Sequence, residues 1–250
     1  MIEIDYKGDA AWITIDRPSK ANAIDVEGWY ELKSALIEAE NRARVIVLTG
    51  VDNYFSSGDD QSISQNLENA DDIEEFGGLF ADVLIEHIEG NQVPVIAAVN
   101  GYAYGAGLEI VVAADLAVAV KDATFCLPET DIGGWPPFAC RRIPQLGGRK
   151  QGMEAILLAE PFDAETAYEW GIVNRVVDQD RLRQTVEEFI NQVVDSPRRS
   201  IKYAKRVATP KRQETNERDA LIGGFAFRHL SQERHEGADS VVTDRDPEYK

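Results

Sequence analysis

Residues Asn100 to Asp115 read N-G-Y-A-Y-G-A-G-L-E-I-V-V-A-A-D, and this stretch decides the fold class. The apolar run Val93 to Val99 leads into it and reads as a buried strand. Small residues turn the chain at Gly105, Ala106 and Gly107, and Leu108 to Ala114 reads as the first turns of a buried helix. The first N–H groups of a helix have no intrahelical partner, and the helix dipole adds positive character there, so such a turn can face developing negative charge on a ligand. Glu109 sits in that first turn amid apolar neighbours. A carboxylate beside an anion-binding backbone points to chemistry.

Upstream, Ile2 to Asp5 and Ala11 to Ile15 read as a strand pair around Lys7-Gly8-Asp9. Asp25 is placed to cap a helix through about Ala39, with Trp29, Leu32, Leu36 and Ile37 at helical spacing. Val45 to Leu48 is a short apolar strand followed by a loop containing Gly58; Ser62 to Glu75 is acidic and reads as a solvated segment, and Phe80 to Ile88 as a helix. Downstream, Leu116 to Val120 and Thr124 to Leu127 read as strands, and Gly133-Gly134-Trp135-Pro136-Pro137 breaks the pattern. Met153 to Ala159, Ala164 to Trp170, Arg181 to Val194 and Arg198 to Ala208 read as helices. Strand, helix, strand at this spacing predicts an α/β fold with crossover units and parallel pairing. A soft boundary falls near residue 195, giving a core of residues 1–195 and a helical region of 196–250.

Composition narrows the function. The net charge of −18 argues against nonspecific binding to nucleic acid or to an anionic membrane. No apolar run approaches bilayer-spanning length, and M-I-E-I-D-Y-K lacks the features of a secretory signal, so a cytoplasmic location is expected. Cys126 and Cys140 cannot build a disulfide framework, and His87, His229 and His235 show no metal-ligand spacing. Only 9 of the 26 basic residues are lysine, and such an acidic surface suits a salt-rich cytoplasm that screens it. A halophilic source predicts that the thermal midpoint falls as salt is diluted out; a midpoint indifferent to salt removes that reading.

Three chemical readings compete for the central stretch. A dinucleotide site needs a third small residue where Ile110 stands, so the fingerprint fails. An oxyanion hole could form if the loop Phe55-Ser56-Ser57-Gly58-Asp59-Asp60 and the Gly105-Ala106-Gly107 turn emerge at the same carboxyl edge of a parallel sheet. Glu109 and Glu129 could share proton transfers, one activating water while the other delivers a proton to carbon, if burial raises their pKa. The plainer alternative is that each caps a helix or pairs with Arg141 or Arg142.

Taken together these motifs resemble the crotonase, or enoyl-CoA hydratase/isomerase, superfamily along nearly the whole chain. I-T-I-D-R-P-S-K-A-N-A-I (13–24) is similar to the family's early strand and loop. V-I-V-L-T-G-V-D-N-Y-F-S-S-G-D-D (45–60) is similar to its first oxyanion loop, Asn100 to Asp115 to its second, and A-T-F-C-L-P-E-T-D-I-G (123–133) to the segment carrying its second acid. F-D-A-E-T-A-Y-E-W-G-I-V-N-R-V-V (162–177) and H-E-G-A-D-S-V-V-T-D-R-D-P-E-Y-K (235–250) resemble later family segments. The resemblance implies a spiral core of repeated β-β-α turns, a C-terminal helical trimerisation region, a homotrimer or dimer of trimers, and an acyl-CoA thioester as substrate with no separate cofactor and no metal. It implies oxyanion donors at the backbone N–H groups of Asp59 and Ala106, acid/base roles for Glu109 and Glu129, and substrate contacts at Lys20, Ala21, Gly58, Asp60, Gly105 and Trp135. Enoyl-CoA hydration is the implied reaction, with double-bond isomerisation as the alternative on the same scaffold and a CoA-binding protein without turnover as a third.

Two departures from the family pattern generate expectations. Asp59 stands where a small uncharged residue is usual, so its side chain is expected to point away from the site. W-P-P-F-A-C-R-R (135–142) replaces a glycine-rich stretch; Pro137 has no N–H to donate, and Trp135 and Phe138 are expected to fill space near the attacking water. The basic run Arg198, Arg199, Lys202, Lys205, Arg206, Lys211 and Arg212 is expected to form a solvated face or to meet acidic neighbours, with contact to the CoA phosphates as the alternative.

Overall fold

The computed structural model describes residues 1–63, 67, 69–209, 236 and 245. Ile2–Lys7 (β1) and Ala10–Ile15 (β2) pair antiparallel across the turn at Gly8. Val26–Arg42 (α1) follows, with the Asp25 carboxylate accepting the Gly28 N–H at 2.9 Å as its cap. The chain then repeats one unit three times: a long strand, a short strand and a helix. The units are Val45–Gly50 (β3), Tyr54–Ser56 (β4) and Ala70–Ala81 (α2); Val95–Val99 (β5), Tyr102–Tyr104 (β6) and Ala106–Ala113 (α3); Leu116–Val120 (β7), Thr124–Cys126 (β8) and Ala139–Leu146 (α4). Arg149–Leu158 (α5), Phe162–Asp163 (β9), Ala164–Glu169 (α6), Arg175–Val177 (β10), Leu182–Val194 (α7) and Arg198–Ala208 (α8) complete the described chain.

The long strands form one sheet in the order β1-β2-β3-β5-β7-β10, parallel from β2 onward; the short strands stack beside it as a second sheet, β4-β6-β8-β9. Splitting each repeat between two sheets is what winds the chain into a spiral. The sequence dictates the division. Val45 to Leu48 and Val95 to Val99 are apolar on both faces and wholly buried, as central parallel strands covered on two sides must be. Burying each such side chain stabilises the fold by about 1.5–3 kcal/mol. α1 turns Trp29, Leu32, Leu36 and Ala39 inward, and Trp29 meets Phe80 edge-to-face with centroids 5.1 Å apart. Ile37, expected on that stripe, is 41% exposed.

The acidic stretch before Phe80 also departs from expectation. From Ala70 it is helical: the Asn69 side chain accepts the Asp71 and Asp72 N–H groups, and Asp72 returns a bond to Asn69. Ile73 and Phe76 face the core, while the carboxylates that made the segment look unstructured lie on the outer side. α2 runs directly into a π-helical segment, Asp82–Glu89. α4, entered through Pro136-Pro137 and containing Pro144, was not evident in the sequence pattern.

The basic run is settled in part by α8. The Lys205 ammonium, its side chain 7% exposed, pairs with Asp115 at 2.5 Å and donates to the Val93 carbonyl at 3.0 Å, and Lys202 bonds the Gln92 side chain. These two cations dock α8 onto the core. Lys211, Arg212 and the segment 235–250, apart from residues 236 and 245, lie outside the described residues. Among the described residues no helix is long and apolar enough to cross a membrane.

Candidate active site

The site is organised by the small sheet. β4, β6 and β8 are parallel neighbours, and each is followed at once by a residue of interest: Ser57-Gly58-Asp59 after β4, Gly105-Ala106 after β6, and Leu127-Pro128-Glu129 after β8. One carboxyl edge therefore gathers all three. The anticipated neighbours β3 and β5 do lie side by side, but strands too short to show an alternating pattern bring the loops together.

Two buried asparagines hold the corner between β3 and β4. Asn22 donates to the carbonyls of Val51 and Tyr54 at 3.0 and 2.8 Å, and Asn100 donates to Asp52 and Tyr54 while accepting the Gly50 N–H. Beyond the corner, Ser57 N–H donates to Ala21 O at 3.0 Å, and the Ser57 hydroxyl to Lys20 O, so the early loop carrying Lys20 and Ala21 runs along the Gly58 loop. Lys20 is exposed there. Ile24 N–H donates to Gly58 O at 2.8 Å and Asp60 N–H to Ile24 O at 2.9 Å. In that parallel bridge the Asp59 amide faces the opposite side.

That side is where α3 begins. Gly58 has φ +90°, and a methyl group added to it would lie 2.8 Å from Tyr104 O and 2.9 Å from the Ala106 amide nitrogen. The two loops approach backbone to backbone, a spacing that only glycine permits. Gly105, at φ 54° and ψ −127°, starts α3 without any side-chain cap, and a methyl there would lie 2.9 Å from Glu129 Oε1. The amides of Asp59 and Ala106 and the Glu129 carboxyl thus share one small region. The Asp59 side chain does turn away, accepting the Trp29 indole N–H at 3.0 Å.

Glu109 is 1% exposed and Glu129 6%. Glu129 sits in the turn Pro128–Ile132, which Thr130 anchors by donating to Ile156 O at 3.0 Å. Glu109 Oε1 accepts two amides, Phe138 N–H at 2.7 Å and Ala139 N–H at 2.8 Å, at the start of α4. Both bonds fall on one oxygen, so Oε2 can face a reacting molecule. Burial, then the Glu129 charge, push the Glu109 carboxyl well above its ordinary value, while the Ala139 and Phe138 amides oppose the rise. Two like charges this close favour holding one proton between them. Glu109 therefore caps the start of α4 and is at the same time a carboxyl whose proton is held tightly. Arg142 is committed elsewhere, to Glu89. The amides of Phe138 and Ala139 that hold Glu109 have no side-chain signature in the sequence: Pro137 lacks an N–H, while the next two residues supply theirs. Phe138 is 1% exposed, and its ring lies under the Arg142 guanidinium, 5.3 Å from the centroid. Trp135 is half-buried on the segment between Glu129 and α4.

Asp60, read as a substrate contact, is committed to the fold: 6% exposed, it pairs with Arg17 at 2.7 Å and accepts the Ser62 N–H at 2.8 Å. Burial alone would raise its pKa, but the Ser62 bonds and the Arg17 and Lys20 charges together hold it below the ordinary value. Asp60→Ala is expected to cost about 2 kcal/mol, read as a lower urea midpoint, because Arg17 then loses the nearer of its two carboxylate partners, Asp25 lying at 3.4 Å. The charged form of Asp60 stabilises the protein above the unfolded pKa, and that stability is lost as pH falls through the depressed folded value. Cys140 lies close enough to both glutamates that, after burial, their charges help push its thiol up to about 12. It is an unreactive neutral group. Cys126 donates to Ala159 O and is structural. Among the described residues no group of His, Cys, Asp and Glu could hold a metal ion.

The chain is similar to known proteins along nearly its whole length. The family model for enoyl-CoA hydratase/isomerase matches residues 6–250. A carnitinyl-CoA dehydratase from Citrobacter koseri is 35% identical over 249 residues, 95% of this chain and 94% of the relative. The enzyme of the same name from Escherichia coli is 33% identical, covering 100% and 98%. Among solved structures, a carnitinyl-CoA hydratase from Mycobacterium avium superposes with a TM-score of 0.87 at 28% identity, covering 100% and 98%. An enoyl-CoA hydratase/isomerase from Xanthobacter autotrophicus gives 0.87 at 27%, covering 97% and 93%. With its strand-by-strand spiral and a family match running almost from end to end, the chain belongs to the enoyl-CoA hydratase/isomerase family.

Proposed function

We propose that the protein adds water reversibly across the 2,3 double bond of an enoyl-CoA thioester. The thioester oxygen accepts the Asp59 and Ala106 amides. Glu109, whose anion two amides stabilise, takes a proton as water oxygen bonds C3; the π electrons move toward the thioester oxygen as an enolate. Glu129 then protonates C2, so one water is added and the pair's proton has changed sides. Each amide that meets the developing oxyanion is worth about 3 kcal/mol in the barrier. The observation that carries this reading is the buried carboxylate pair beside two glycine loops that meet backbone to backbone. The reaction as written needs no cofactor beyond the thioester. A homotrimer or dimer of trimers fits the family and the exposed Tyr203 and Val207 on α8; light scattering tests it.

The relatives named for carnitinyl-CoA make a quaternary ammonium acyl group a leading candidate, and carboxylates at Glu109 and Glu129 favour a cation nearby. The test is loss of conjugated-thioester absorbance at high salt with crotonyl-CoA, longer enoyl-CoAs and the 4-trimethylammonio-2-butenoyl thioester. Turnover of at least one at about 1–10³ s⁻¹ is expected. Silence with all of them overturns hydration, and conversion of 3-enoyl-CoA without hydration would establish the isomerase alternative.

A further inference from the structure

The clamp on Glu109 is only as well placed as the helix that provides it. α4 has eight residues, is entered through two prolines and contains Pro144, so its own backbone gives it little independent stability. It is fixed at a second point one turn beyond the clamp. Arg142 Nε donates to Glu89 Oε1 and Nη2 to Glu89 Oε2, each at 2.7 Å, a two-pronged pairing with Arg142 5% exposed. Arg142 N–H also bonds Phe138 O at 3.1 Å, and its guanidinium lies over the Phe138 ring. Glu89 ends the π-helical segment, which packs on α3, the helix carrying Glu109. Glu109 and Glu89 are thus set on one packed unit, and α4 reaches across to both, by two amides at one end and a guanidinium at the other. A buried ion pair adds little net stability compared with apolar side chains of the same size, so its contribution here is geometric.

We propose that the Glu89–Arg142 pair is a positioning element of the active site, docking α4 so that the Phe138 and Ala139 amides hold Glu109 in place. The inference rests on the hydration chemistry above for its kinetic test, but not for its structural one. Glu89 also interacts electrostatically with Asp115 and Lys205, and Glu109 with Glu129, Asp59 and Cys140; none of them is altered in the test.

Arg142→Lys keeps the charge but loses the fork, and Glu89→Gln keeps the shape but loses the charge. In either folded variant kcat is expected to fall about 10²-fold with KM nearly unchanged, since a shift of about 1 Å at a reacting group has that effect. The acid limb of the kcat profile should move to higher pH, because weaker amide bonds leave Glu109 harder to ionise. Independently of activity, the Glu109 carboxyl signal in carbon-13-labelled protein, assigned with Glu109→Gln, should titrate at higher pH in both variants. A folded variant with unchanged kcat and an unmoved Glu109 titration overturns the proposal. Failure of both variants to fold also overturns it, by making the pair a requirement of the fold. If no enoyl-CoA is hydrated but the carboxyl titration moves, the positioning stands and the hydratase reading falls.

Discussion

Glu109→Gln is expected to lower kcat for enoyl-CoA hydration by about 10³-fold, with a much smaller change in KM, because the amide cannot take the proton of the attacking water. The fold should survive. Glutamine keeps a carbonyl oxygen to accept the Phe138 and Ala139 amides, and it removes a charge from a buried site. That leads to a second, opposite signature. The Glu109 carboxyl is held above its ordinary value of 4.5, first by burial and then by Glu129, so the folded protein binds that proton more tightly than the unfolded chain does. The stability it contributes is complete below the ordinary value and is lost as pH rises through the raised one. Glu109→Gln should therefore lose less Tm than the wild type between acid and neutral pH, while being far less active throughout. A variant that is both less active and less stable at neutral pH would make Glu109 a structural cap and nothing more.

Gly58→Ala is expected to be the other severe change. At φ +90° an alanine is strained, by about 1–3 kcal/mol, and its methyl would press on Tyr104 O and Ala106 N from 2.8 and 2.9 Å. The loops must separate, so the amides proposed to meet one thioester oxygen would be pulled apart. A loss of about 10²-fold or more in kcat follows from removing one such donor. Asp59→Asn is the informative partner, since the proposed donor at that position is the backbone N–H, while the side chain accepts the Trp29 indole N–H. It should retain kcat within about tenfold. Equal losses in the two variants would place the Asp59 side chain, rather than its amide, in the chemistry.

How much of this was legible in the sequence depended on what each segment had to show. β3, β5 and β7 are apolar runs bounded by turns, and α1 has a capping aspartate and a helical stripe; these could be read directly. α2 could not, because Asp71, Asp72, Glu74 and Glu75 mask the inward Ile73 and Phe76. β4, β6 and β9 are two or three residues long, too short for any period to register, yet they build the sheet that gathers the site. Glu109 and Glu129 stood out as carboxylates in apolar surroundings. Their supports did not: an amide donor has no side-chain signature, and the Glu89–Arg142 pair joins residues 53 positions apart. Asp60, which the resemblance places among the substrate contacts, is held by Arg17, 43 residues earlier, a pairing that no local pattern announces.

The most direct measurement is hydration run in oxygen-18 water, with the product thioester analysed by mass spectrometry. One labelled oxygen at C3 is expected from the wild type, and almost none from Glu109→Gln in the same time. An unlabelled product whose double bond has merely moved, or equal labelling by the two proteins, would contradict water activation by Glu109.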